Sequence, residues 1–494
     1  MINRASAVIG FSCAVLVVGG GRSLRSKAPT TLLPTSAPRA RVSAVLLAAD
    51  GDSPWAAVAA EASRAHGDAP VVEFSPADGS SIREALSHAE SADALLVMPP
   101  DAIDVNFAWR MLDVASSLDD DPFVDVRYGI ITGATPEDAR EFLSRSGAIA
   151  PKLLDCLGPN MRDNLSVTVH RRLFWAGWLS GKLECRGMNN GRQGFPDEKL
   201  DKLSGYGIYH FGGHGYPDRI DQGLTAEQLS RTELGPSIAF NGACSTGVTE
   251  RYFEMTGGGW AEKTYEPDSS FCLQMLRQPV LAYFAATHPD HGVPVYQEME
   301  RLFTTGCSMG EVIKHTYDAV VVGNGGEPLE LVDLSDGAPI AAWGPTEIML
   351  YGTASRVLYG DPTLRVMDAL AEPGLAVEST EGEGGAITAT VTVTNPDIAF
   401  SLQDTFHSDM SAQQNGFNDR IYVQIPLTTT ETIGSASAVA SANGKPIRSR
   451  VVGFAIEEWA GKRTLHVQVD LESSGYQQGP IRRECATVEL TLTP

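Results

Sequence analysis

Three short apolar runs constrain this chain more than any other feature: YGIYHF (206–211), SIAFNG (237–242) and PVLAYFAAT (279–287). Each is shorter than an ordinary helix, lacks strict polar alternation and is bounded by Gly or Pro. Strands of that pattern are buried on both faces, which calls for a mostly parallel sheet covered by helices on each side. The intervening stretches supply the helices. TAEQLSRTEL (225–234), SSFCLQMLRQ (269–278), VYQEMERLFTTG (295–306) and MGEVIKHTYDAVVVG (309–323) all carry helical patterning. The runs EIMLYG (347–352) and LYGDPTLRV (358–366) close the region.

The same alternation begins upstream. RVSAVLLAAD (41–50), APVVEFSP (69–76) and DALLVMPP (93–100) read as strands, separated by the helical PWAAVAAEASRAHG (54–67) and SSIREALSHAESA (80–92). VDVRYGIITG followed by TPEDAREFLSRSG repeats the unit, with Thr135 as N-cap, Glu137 and Asp138 in the first turn and Arg145 near the end. Strands alternating with helices of this length predict an α/β, doubly wound sheet. After about residue 370 the pattern changes to AITATVTVTN, RIYVQIPLT, KPIRSRVVGFAIEEW, RTLHVQVDLES and CATVELTLT, punctuated by NPD and ANGKP. These segments predict an antiparallel, Ig-like β-sandwich. A chain of 494 residues exceeds a single core in any case.

The N-terminus sets the expected compartment. MINR precedes the apolar ASAVIGFSCAVLVVGGG and then a Ser/Pro/Thr/Arg-rich stretch to about residue 40. That order reads as a cleaved export signal, with an uncleaved N-terminal anchor as the alternative. No later segment approaches a membrane span, so no stable span is expected after cleavage. The protein is therefore expected to be secreted or held in the cell envelope, extracellular or periplasmic. Apart from Cys13, six cysteines remain at wide, irregular spacings (Cys156, Cys185, Cys244, Cys272, Cys307 and Cys485), which is not a disulfide-stapled scaffold. Neither CxxC nor HExxH occurs, so no metal and no cofactor is expected. A formal charge of −23 repels phosphate backbones and disfavours a nucleic-acid partner.

Chemistry concentrates in two glycine-rich segments. FGGHGYPD (211–218) and IAFNGACSTG (238–247) each follow an apolar run and surround one reactive side chain, His214 or Cys244. If the two strands are parallel neighbours, both side chains emerge at the same carboxyl edge of the sheet, where such folds collect binding groups. The stretch 216–236 is long enough for the crossover. An imidazole beside a thiol can take its proton and return it to a leaving amine. The N–H groups of Gly215 and Cys244 are candidate donors to an oxyanion. Gly212, Gly213 and Gly242 permit close approach of a substrate backbone, with Gly213, Gly242, Ala243 and His288 as candidate cleft residues. The bland reading, two turns around an inert His and an inert Cys, accounts less well for both lying at strand ends. His210 falls within its apolar run and is expected to face the interior. THPDHG (287–292) follows the next strand, and His288, Asp290 and His291 either line a pocket, hold a metal or form a plain polar loop.

GGHG followed by GACSTG resembles the His-Gly and Ala-Cys strand endings of the caspase-fold cysteine peptidases, most closely the gingipain-type branch. LDDDPFVDVRYGIITGATPEDAREFL (118–143), PVLAYFAATHP and LYGDPTLRV resemble further segments of that family in order, and a β-sandwich after the last suits it. The resemblance implies a caspase-like domain over 126–369, preceded by an N-terminal α/β subdomain over 41–125 and a signal and linker over 1–40. The Ig-like sandwich takes up 370–494. It implies an exported cysteine endopeptidase acting on protein or peptide substrates, with His214 and Cys244 as dyad and Gly215 and Cys244 as oxyanion donors. The family's His-orienting carboxylate and its acid for a basic P1 side chain have no counterpart here. Asp218 and Asp221 lie near His214, but neither is singled out. Two alternatives stand beside this reading: a catalytically degenerate binding or scaffold protein, and a hydrolase of another amide or acyl substrate. A metal hydrolase built on His288 and His291 ranks below them.

Overall fold

The computed structural model describes residues 41–48, 51, 53–88, 93–148, 155–158, 184–187, 194–221, 223–256, 259–290, 294–327, 333–334, 351–369, 374–394, 419–459, 461–472 and 486–494. The N-terminal leader, the run VTVHRRLFWAGWLSG, His291 and Cys485 lie outside the described residues.

In chain order the strands of the α/β part are β1 (Ala44–Leu47), β2 (Val71–Glu73), β3 (Asp93–Val97), β4 (Arg127–Ile131), β5 (Asp155–Gly158), β6 (Glu184–Gly187) and β7 (Ile208–Phe211). They continue as β8 (Gly215–Tyr216), β9 (Arg219–Ile220), β10 (Ser237–Asn241), β11 (Arg251–Thr256), β12 (Gly259–Thr264), β13 (Val280–Ala286) and β14 (Arg356–Gly360). The helices are α1 (Pro54–Ala65), α2 (Gly79–Ser87), α3 (Val105–Ala115), α4 (Pro136–Ala148), α5 (Ala226–Ser230), α6 (Phe271–Arg277), α7 (Pro294–Thr305) and α8 (Met309–Gly323).

Ten strands form one sheet in the order β2-β1-β3-β4-β14-β13-β10-β7-β5-β6. Pairings within β2-β1-β3-β4 are parallel, as are those within β13-β10-β7-β5-β6, while β14 runs antiparallel to β13. The two blocks meet where Tyr359 of β14 faces Ile130 of β4. β4 pairs with β3 from Asp93–Arg127 to Val97–Ile131, so the boundary expected at residue 125 falls between two neighbouring strands of one sheet. The apolar runs behave as their composition dictates. Every residue of β3, β7, β10 and β13 is buried, His210 included, and one hydrophobic core spans both blocks.

Local sequence sets the helix ends. Thr135 Oγ1 accepts from Asp138 N–H at the start of α4, and Arg145 near its end donates to the Leu276 carbonyl at 2.6 Å. Thr225 with Gln228, and Ser308 with Glu311, form reciprocal capping boxes at α5 and α8. The loop after β3 reaches the loop after β10. Thr249 Oγ1 donates to the Pro100 carbonyl at 2.6 Å.

The described residues from 375 onward form the expected sandwich: β15 (Leu375–Glu381), β16 (Ile387–Val393), β17 (Asp419–Leu427), β18 (Ser435–Ala442), β19 (Lys445–Ile447), β20 (Ser449–Trp459), β21 (Lys462–Leu471) and β22 (Ala486–Thr493). One antiparallel sheet has the order β15-β16-β22-β18-β19 and the other β17-β21-β20. Alternate residues of β16 and β22, among them Ile387, Val391, Val488 and Leu492, turn inward to a separate core. The ANGKP signal is the β18–β19 hairpin turn, with Asn443 and Gly444 both at positive φ.

The sandwich docks on α8 through a polar cluster. Lys314 Nζ lies 2.8 Å from Asp318 Oδ2 on its own helix and 2.8 Å from Glu457 Oε1 of β20. His466 Nε2 is 2.9 Å from the other oxygen of Glu457, and Asp121 Oδ2 accepts from Glu458 N–H at 2.6 Å. Gly453 packs against the Val322 carbonyl so closely that a Cβ there would overlap it.

Candidate active site

The two glycine-rich segments meet as the strand pattern requires. β7 and β10 are parallel neighbours, in register from Ile208–Ile238 to Phe211–Asn241, with α5 in the connection between them. Their carboxyl ends are tied by Gly242 N–H donating to the Phe211 carbonyl at 3.0 Å. Beyond them, Gly215 lies flat against the peptide of Cys244. A Cβ on Gly215 would sit 2.1 Å from the Cys244 carbonyl oxygen and 2.7 Å from both Ala243 C and Cys244 N. No residue with a side chain fits there. The backbone amides of Gly215 and Cys244 lie near enough to the Cys244 sulfur to favour its thiolate form against the effect of burial.

The His segment is a small hairpin, β8 with β9, turning through Pro217 and Asp218. Gly213 precedes His214 at φ 118, a conformation that glycine supplies without strain. His214 is exposed, and its carbonyl accepts from Asp221 N–H at 2.7 Å, which fixes the loop through main-chain atoms. The two acids near it in sequence do other things. Asp218 pairs with Arg219 at 2.9 Å, and Asp221 contributes its amide. Among the described residues no carboxylate is hydrogen-bonded to the His214 ring.

The Cys segment is an elbow held from several sides. Asn241 Oδ1 accepts from Ala243 N–H at 2.9 Å, and Thr246 Oγ1 donates to the Ala243 carbonyl at 2.8 Å. Asn241 Nδ2 donates to Tyr283 Oη, which donates in turn to the Thr246 carbonyl at 3.0 Å. Tyr359 Oη donates to the Gly247 carbonyl at 2.5 Å. Ser245, next to the thiol, is held at φ 57, a left-handed conformation that a non-glycine residue adopts only when its surroundings enforce it. Its amide donates to the His288 carbonyl at 3.2 Å.

Cys244 is a free, half-buried cysteine whose Sγ–H donates to the Asp290 carbonyl at 2.9 Å. Burial first, then the negative charge of Asp290, push its thiol up to about 12. Backbone hydrogen bonds from Asp290, Gly215 and Cys244 oppose the shift without cancelling it. The resting sulfur is therefore a neutral thiol set against two amides.

The remaining candidates divide by exposure. Gly213 is open to solvent, whereas Gly242 and Ala243 are buried beneath the loop and shape it from within. The expectation that the His288 side chain lines the cleft is corrected by its burial. Its ring is enclosed by Trp260, Trp109 and Tyr252, with centroids at 4.7, 5.8 and 6.4 Å, and desolvation holds it down to about 3. Asp290 does not stand free for a metal, since its carboxylate is 2.8 Å from Arg356 Nη1. Elsewhere, Asp119, Asp121 and Asp125 bring carboxylate oxygens together, but those oxygens accept the amides of Leu118, Asp121, Phe123 and Glu458 and close the local turns.

Several parts of the site went unread in the sequence. The hairpin β11–β12 stands beside the elbow, with Tyr252 Oη 3.4 Å from Ser245 Oγ. Alternation in RYFEMTGGGWAEKT carried that signal. Arg356, Glu298 and Asp290 form a buried ion cluster behind the Cys segment. Their signs were an arginine opening an apolar strand and an acid on a helix otherwise poised to bury its apolar side.

No family model matches the sequence, and no curated protein matches it. Among solved structures the chain is similar to the complex of Porphyromonas gingivalis RgpB pro- and mature domains, at 10% identity over 86% of this chain and 93% of that one, with a TM-score of 0.45. It is similar to the Arg-specific cysteine proteinase gingipain R at 12% identity over 86% and 91%, TM-score 0.45. A third likeness is to the separase–securin complex of Saccharomyces cerevisiae, at 13% identity over 55% of this chain and 15% of that one, TM-score 0.34. The fold itself is read from the topology: β6-β5-β7-β10-β13-β14, with β14 antiparallel to its neighbour, is a caspase-like α/β arrangement followed by a β-sandwich. Among the described residues no helix is long and apolar enough to cross a membrane.

Proposed function

We propose that this chain is an exported cysteine endopeptidase whose dyad is His214 and Cys244. The observation that carries the reading is the contact between Gly215 and the Cys244 peptide, which sets two main-chain amides beside a free thiol at the sheet's carboxyl edge. Such a pair of donors suits charge that develops on a carbonyl oxygen as sulfur attacks its carbon.

In this mechanism Cys244 Sγ bonds to the scissile carbonyl carbon while its proton passes to His214. The oxyanion lies against the N–H groups of Gly215 and Cys244. Collapse of the tetrahedral species breaks the C–N bond, and His214 protonates the departing amine. Water then attacks the thioester with His214 taking its proton, which releases the acid product and restores the thiol. The thiol rests neutral, so its proton must leave during the reaction, and His214 is the base that takes it. The leader expected over 1–40 supports export, and an exposed His214 loop beside a half-buried Cys244 suits a polypeptide substrate.

The test is Cys244→Ala. Peptide hydrolysis on a random peptide library and labelling by a thiol-directed electrophile at residue 244 are both expected to vanish. Undiminished hydrolysis in that variant rejects the assignment.

A further inference from the structure

We infer that Arg356 is a positioning residue for Cys244: its guanidinium joins the main chain that enters the Cys segment to the residue that holds the thiol proton. Arg356 opens β14 and is fully buried. Its Nη1 donates to the Asn241 carbonyl at 2.8 Å, where β10 ends, and to Asp290 Oδ2 at 2.8 Å. The other edge is a bidentate fork on Glu298 of α7, at 2.5 and 2.7 Å. Asp290 closes the circuit, since its own carbonyl accepts the Cys244 Sγ–H at 2.9 Å. One planar cation thus fixes both flanks of the nucleophile, which a lysine, with a single point of attachment, cannot reproduce.

The cluster is more than a structural ion pair. One cation faces two carboxylates, and all three side chains have zero exposure. Replacing such a cluster by apolar packing is often neutral or stabilising, so stability alone is a weak reason to keep it. Its location gives a better one, because the Asp290 charge bears on the sulfur. The titratable groups that bear on the thiol are Tyr252 on β11 and Asp290 after β13, with Arg356 on β14 and Glu298 on α7 behind Asp290, and His214 stands on the facing loop one residue before Gly215. Arg356 tempers the Asp290 charge while holding its backbone in place, so acidity and position of the thiol are set by one side chain.

The inference rests on the cysteine-peptidase reading only in naming Cys244 the nucleophile, and the alkylation arm of its test does not need peptide turnover. The rate at which iodoacetamide modifies Cys244 is measured by mass spectrometry from pH 7 to pH 9, with a thermal melt as folding control. Asp290→Asn keeps an acceptor for Arg356 and removes the charge. It is expected to speed modification at each pH on the order of tenfold, one pKa unit being a factor of ten in thiolate. Arg356→Lys keeps the charge and breaks the fork. Its modification rate is expected to stay within about threefold of the parent, while kcat for peptide hydrolysis drops on the order of tenfold with KM little changed.

Equal acceleration in both variants would mean a loosened loop and overturns the inference, as does a folded Asp290→Asn with the parent's rates. If Asp290→Asn does not fold, Glu298→Gln takes its place: with one carboxylate fewer on Arg356 the Asp290 charge is more fully tempered, so a smaller acceleration in the same direction is expected and unchanged rates overturn the inference. A parent that hydrolyses no peptide defeats the peptidase reading and leaves the alkylation result standing by itself.

Discussion

Gly215→Ala is the sharpest perturbation the site offers. The added methyl would lie 2.1 Å from the Cys244 carbonyl oxygen, against about 3.4 Å for an ordinary contact, so the two loops must part by about 1.3 Å. The obstructing atoms are main chain, and the Cys segment is locked by Asn241, Thr246, Tyr283 and Tyr359. The His hairpin therefore moves. Hydrogen bonds lose most of their strength beyond about 3.5 Å, so a shift of this size takes the Gly215 amide away from an oxyanion held at Cys244. Loss of one such donor costs about 10²–10³ in kcat, roughly 3–4 kcal/mol of transition-state stabilisation. Stability should change less, by about 1–2 kcal/mol, because the displaced hairpin is largely exposed. Rates on a peptide library are compared for the parent, Gly215→Ala and Cys244→Ala, with alkylation of Cys244 followed in parallel. A large loss of kcat with Cys244 still alkylated is the expected pattern. An alanine variant with an unchanged melt and at least a third of parental activity would refute the role given to that amide.

Two further predictions concern buried charge. Lys314→Met leaves Asp318 and Glu457 facing each other without a cation, and breaking a buried pair of this kind costs about 3–5 kcal/mol. Its urea midpoint and the rate of proteolysis near residue 370 report the change, and a parental midpoint would show that this cluster does not secure the sandwich. The second follows from the thiol at about 12, which leaves about one part in 10⁵ as thiolate at pH 7. Thiolate absorbance, taken as parent minus Cys244→Ala, should be absent at neutral pH, and a clear signal there contradicts the neutral resting state. The shift is upward, so the stability tied to this proton is fully present below about pH 9 and is lost as pH rises toward 12.

The fold was legible where burial leaves one choice. Runs such as VLAYFAA, buried at all seven positions, have no exposed face to accommodate and admit only an interior strand. The alternation of ITATVTV likewise dictates a sheet with one wet face, as β16 shows. The His and Cys segments were legible for a related reason, since glycines beside a strand end mark places where main chains must approach. Legibility stopped at long-range polar contacts. Nothing local to SRVLYG says that its arginine will meet a glutamate 58 residues earlier and a carbonyl 115 residues earlier. His288 was misjudged because a histidine in a polar-looking loop gives no sign of the aromatic rings that close over it from α3 and β12.

The direction of β14 explains why a cation can stand behind Cys244 at all. In a parallel sheet every strand brings its carboxyl end, and hence a loop, to the functional edge. A side chain from within such a strand points into the sheet's faces and arrives there only from the last residue or two. β14 runs antiparallel to β13, pairing Arg356 with Ala286, so its first residue stands where its neighbour's last one does. Arg356 is thereby anchored on a strand while reaching the ends of β10 and β13 together. Had β14 been parallel, the same position would lie at the opposite edge, and an arginine placed there would touch neither Asn241 nor Asp290. The strand reversal is what lets a rigid element, and not a mobile loop, supply the charge beneath the thiol.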